Sequence, residues 1–125
     1  MTILTSEINK FTHRICDGDI EEAISLLLEL RSHIIHSFQQ LKTSPAPKKK
    51  KVGAVLHNLA GASGLMNLEK LNTYLSYQQA LLDNEQPKIS KDYLLKVEIH
   101  CTHLVDNYIS VVNAYTNHSK NGSLS

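Results

Sequence analysis

Between residues 94 and 115, apolar side chains advance along the chain in alternating steps of three and four: Leu94, Val97, Cys101, Leu104, Tyr108, Val111 and Tyr115. That spacing keeps a single apolar seam on one face of a long α-helix, the pattern of bundle and coiled-coil packing. A helix with such a seam cannot bury it alone, so the rest of the chain must supply partner helices.

The partners are legible in the same way. Asp17-Gly18-Asp19 forms a turn with a ready N-cap, and Glu21 and Glu22 suit the positive end of a helix dipole. Apolar residues then recur at Ile24, Leu27, Leu30, Ile34, Phe38 and Leu41, predicting a long amphipathic helix from Ile20. Pro45 and Pro47 end it and prepare the first turn of the next, which covers residues 48–66. Asn67 marks a break or tight corner before a fourth helix with Leu68, Leu71, Leu75 and Leu82 on its inner face. NEQPKIS is a connection, and Ser90 caps the last helix. A short helix capped by Thr5 or Ser6 and running to about Ile15 precedes them all. There is almost no β-pattern. The expected fold is all-α: an antiparallel four-helix bundle with a short additional N-terminal helix. It forms one stand-alone domain over 1–118, followed by a flexible C-terminal tail at 119–125.

Charge narrows the possible roles. The net charge of +1 over 125 residues offers no global attraction to nucleic acid or a membrane. One local cluster exists, Lys48-Lys49-Lys50-Lys51, read as a solvated run or as a lure for an acidic partner. Two cysteines make no disulfide framework, the first residues lack a signal-peptide core, and no apolar run suits a membrane span. A cytoplasmic protein with reduced thiols is expected. His33/His36 and His100/Cys101/His103 have spacings that a helix could offer to a metal, but Cys101 belongs to the seam. They are read as surface histidines, and no metal site is expected.

Residues 57–68, HNLAGASGLMNL, set a histidine among small residues. At about 100° per residue, Val52, Val55, Leu56, Leu59, Ala62 and Ser63 form the core stripe. His57 falls away from it, with Gly53, Gly61, Gly64, Ala54 and Ala60 on its own face and Lys50 two turns before it. Each interior glycine costs a helix about 1 kcal/mol relative to alanine. Close approach of another backbone or macromolecule is a physical reason to keep them. The plain alternative is a frayed helix with an idle surface histidine.

HNLAGASGLMNLEKL resembles the phosphorylated motif of histidine phosphotransfer (HPt) domains, His-x-Leu-Lys-Gly-Ser/Ala-Ser/Ala-x-x-Leu/Met-Gly. His57 matches the phospho-accepting histidine, Leu59 the next apolar position, Gly61 the glycine, Ala62 and Ser63 the small pair, and Met66 the later apolar residue. Gln79 matches a glutamine that lies near the phosphohistidine in that family. Ala60 departs from the family lysine that helps hold the phosphoryl oxygens, and Asn67 from its glycine. The resemblance in architecture spans residues 18–116.

The resemblance implies a phosphorelay intermediate of a two-component system. His57 would accept a phosphoryl group from a receiver-domain aspartate and pass it to another receiver. Gln79 would support the phosphoryl group, and Gly53, Ala54, Ala60, Gly61, Gly64, Leu65 and Lys50 would form the docking surface. Such a carrier has no kinase activity and no cofactor of its own, with Mg²⁺ expected in the partner receiver. Its partners would be receiver domains of response regulators or hybrid sensor kinases, not nucleic acid or membrane, and it would act as a monomer. The runner-up, kept open by Ala60, is a non-catalytic helical adaptor that binds receiver or kinase domains without relaying phosphate.

Overall fold

The computed structural model describes the backbone over residues 3–85 and 89–124, and side chains over 4–84 and 89–114. The chain is all-α, with five helices and no strand among the described residues: α1 (Ile3–Arg14), α2 (Ile20–Lys42), α3 (Lys49–Leu65), α4 (Glu69–Glu85) and α5 (Lys91–Leu124). No helix among these is long and apolar enough to cross a membrane.

Local chemistry places the helix starts. Asp19 caps α2 by accepting from the Glu22 N–H at 3.1 Å, and Ser90 caps α5 by accepting from the Tyr93 N–H at 3.0 Å. Both caps answer N–H groups that have no partner inside their helix. α1 begins before its expected caps, so Thr5 and Ser6 lie inside it. α5 also differs from expectation: it continues to Leu124, past the tail boundary at 118. No proline interrupts residues 119–124, so nothing there removes a helical hydrogen bond. Residues 86–88 of the NEQPKIS connection and the side chain of Tyr115 lie outside the described residues.

The helices associate as two close antiparallel pairs. α2 runs against α5, which the reversed order of two ion pairs shows: Arg31 with Asp106 at 2.7 Å, and Lys42 with Glu98 at 2.5 Å. α3 runs against α4, with Gly53 facing Leu82 and Ala60 facing Asn72. The pairs touch through α2–α3 and α4–α5, and α1 lies against α5 and α2. Between them sits one core containing Phe11, Leu27, Phe38, Leu56, Leu75 and Tyr108, each almost fully buried. Burying a side chain of this size contributes roughly 1.5–3 kcal/mol. The α5 seam holds as expected from Leu94 to Tyr108, then shifts by one residue: Val112 is buried where Val111 is half-buried.

The turn between α3 and α4 is made by Asn67, whose φ of +60° is left-handed. The Leu68 N–H reaches back to the Ser63 carbonyl at 2.9 Å and the Asn67 N–H to Gly64 at 3.1 Å. This is a Schellman closure, with Leu68 then buried beneath it. Asparagine serves where glycine is usual because its short side chain tolerates the left-handed region.

Candidate functional site

Lys48 precedes α3 in an extended conformation and offers no side-chain cap. Three further lysines fill the first turn, where their charge opposes the helix dipole. The helix is nonetheless continuous from Lys49 to Leu65, so the glycines mark no break in it. His57 lies midway along it and is exposed. The expected core stripe holds in outline: Val52, Leu56, Leu59 and Ser63 are buried, and Val55 and Ala62 half-buried.

The small residues around His57 divide into two groups. Gly61, Ala54 and Lys50 are exposed, Leu65 is 81% exposed, and a Cβ on Gly61 would meet nothing within 4 Å. These form an open shoulder beside the imidazole. Gly53 (half-buried), Ala60 (buried) and Gly64 (still exposed) lie toward α4. A Cβ on Gly53 would touch Leu82 at 3.7 Å, and one on Gly64 would crowd the Asn72 amide at 3.2 Å.

Ala60 is buried at 6%, and its carbonyl accepts from both Asn72 Nδ2 (2.7 Å) and Ser63 Oγ (3.0 Å). The expectation that Ala60 belongs to an exposed docking surface is therefore corrected. Its small side chain lets α4 come close. The helical wheel gives an angle around α3 but not which neighbour occupies it.

The same register locates Gln79. Gly64 lies seven residues after His57, and Asn72 seven residues before Gln79. Seven residues are close to two helical turns, so in an antiparallel pair this shift preserves facing. Gly64 faces Asn72, so the same repeat brings position 79 level with position 57 along the pair. Gln79 is half-buried along the α3–α4 seam.

Three features of this region were not anticipated from the sequence. Asn72 fastens α4 to α3. Glu7, buried on α1, accepts from the Lys70 N–H at the start of α4 and from the Tyr108 hydroxyl of α5, both at 2.5 Å. A carboxylate suits the N-terminal end of a helix. A signal for it existed: Glu7 interrupts the Leu4, Ile8, Phe11 face of α1. Tyr74 packs on His100, ring centroids 3.9 Å apart, along an open groove of about 550 Å³ between α4 and α5.

Burial raises the pKa of both thiols and of the Tyr74 and Tyr108 phenols. It pushes the Cys101 thiol and the Tyr74 hydroxyl each up to about 12. Burial, reinforced by the hydrogen bond and charge of Glu7, raises Tyr108 further. Cys16 is buried and raised too, chiefly by desolvation. Neither cysteine has the lowered pKa of a reactive thiolate. His33, His36 and His103 are exposed. Among the described residues, no group of three or more His, Cys, Asp or Glu side chains is placed to hold a metal. Comparison of the chain with family models, curated proteins and solved structures found no match.

Proposed function

We propose that this chain is a histidine phosphotransfer protein, a relay that takes a phosphoryl group from one receiver aspartate onto His57 and passes it to another. The observation that carries this reading is an exposed imidazole midway along α3, flanked by a side-chain-free shoulder at Gly61. An incoming aspartyl phosphate must come within bonding distance of the ring, and Gly61 and Ala54 leave room for it.

In the transfer, the unprotonated ring nitrogen forms the P–N bond as the aspartyl P–O bond breaks, and the aspartate leaves as a carboxylate. Such a step depends on in-line positioning and charge neutralisation. Gln79 donates hydrogen bonds to the phosphoryl oxygens, and the receiver supplies Mg²⁺. The chain itself has no kinase activity. We further propose that α2 to α5 close as an antiparallel four-helix bundle, with α1 laid against it, and that the protein works as a cytoplasmic monomer.

The test uses purified receiver domains charged with acetyl phosphate. The wild-type chain should acquire an acid-labile phosphoryl group. His57→Gln should acquire none while keeping the same helical circular dichroism; a labelled His57→Gln protein would overturn the reading. One observation favours a second reading. The position of the family's phosphate-holding lysine is Ala60, which carries no charge and is buried against α4. An adaptor without relay chemistry would bind the same receivers and never be labelled.

A further inference from the structure

The surroundings of His57 are asymmetric. On one side of it, Gly53 and Ala60 lie about 40–60° round the helix and turn toward α4, Gly53 half-buried and Ala60 buried. On the other, Ala54 and Lys51 lie about 60° and 120° round and remain exposed. That open side leads into a groove of about 350 Å³ between α2 and α3. Leu41, Val55 and Ala54 give it an apolar floor, while Lys51 and His36 stand on opposite walls with Gln40 and Ser37 beside His36. No carboxylate is among these lining residues. Lys48, Lys49 and Lys50 extend the positive charge at the same end of α3. On α4, by contrast, the exposed residues nearest in register include the carboxylate of Asp83.

We propose that the α2–α3 groove is the recognition site for an acidic segment of the receiver that reaches His57, making His36, Gln40 and Lys51 specificity residues. This rests on the phosphorelay reading. Charge complementarity names the occupant: a cationic groove with an apolar floor fits an anionic segment carrying an apolar side chain. Opening onto Ala54, the groove positions such a segment without covering the imidazole.

Two measurements on the full chain test it, using a panel of purified receiver domains. First, His57→Gln protein labelled with ¹⁵N is titrated with each receiver charged with beryllofluoride, so that docking is read without transfer. The expected shifts fall on amides of His36, Ser37, Gln40, Lys51 and Ala54. Shifts confined to Ser76, Ala80 and Asp83 would overturn the groove while leaving the relay intact. Second, transfer rates are compared for wild type, the double variant His36→Glu/Lys51→Glu and the control Asp83→Lys. The double variant should be slower by about tenfold at low salt, with the difference shrinking as salt rises, and Asp83→Lys should not be slower. Equal rates for the double variant and wild type overturn the groove alone. Failure of every receiver to bind or label the wild-type chain overturns both the groove and the relay. Micromolar binding of a DNA oligonucleotide by a chain that ignores receivers would assign the lysines to phosphate backbone and do the same.

Discussion

Gly61 and Gly64 stand one turn apart on α3, and their surroundings give them opposite sensitivities. A methyl group at 61 enters open space, so Gly61→Ala should stabilise the fold by about 0.5–1 kcal/mol through helix propensity alone, read from urea unfolding. At 64 the same methyl meets the Asn72 amide, which is held on the Ala60 carbonyl. Displacing it loses a hydrogen bond worth about 0.5–1.5 kcal/mol, so Gly64→Ala should bring no net gain. Access is a separate property: Gly61→Leu should slow phosphoryl transfer without loss of helix, and unchanged transfer kinetics would count against an open approach to His57. The sequence showed that small residues gather round His57. It could not show that Ala60 is buried, Gly53 half-buried and Gly64 pressed against Asn72, because periodicity supplies a direction and only the packed neighbour supplies an obstacle.

The starts of α2 and α5 were the most readable elements and α1 the least. Asp19 and Ser90 cap as their positions foretold, since a capping side chain acts on N–H groups two or three residues away. Asn67 turns the chain where expected, and Asn67→Val should cost about 1–2 kcal/mol, as a β-branched residue resists its positive φ. Glu7 acts across 63 and 101 residues of sequence, a separation that no local pattern encodes. Its removal should be felt at a distance. Glu7→Ala leaves the Lys70 N–H and Tyr108 hydroxyl without their acceptor, at a cost of about 1–3 kcal/mol. Hydrogen exchange at the Lys70 amide should quicken; exchange as slow as in wild type would show that α4 does not depend on this carboxylate.

For the molecule as a whole, alkaline pH is the revealing variable. Cys101 and Tyr74 ionise near 12 when folded, against ordinary values of 9.0 and 10.0. Above about pH 9 the unfolded chain therefore sheds protons that the folded chain retains, and stability falls as pH rises toward 12. The urea midpoint should be lower at about pH 10.5 than at about pH 8, with a shallower pH slope in Cys101→Ala. An equal slope in that variant would remove Cys101 as a cause. The helical class and most of the core were legible because seams at helical spacing predict burial directly, as Leu71, Leu75 and Leu82 illustrate. The association into α2–α5 and α3–α4 pairs was not, because every seam is apolar and none names its partner. The carboxylate of residue 7 also imposes an order of events during synthesis. At roughly 5–20 residues per second, its phenol partner 101 positions later is made about 5–20 s after it. Until then α1 has no complete seat, so the earliest made of the five described helices is the one whose docking waits longest.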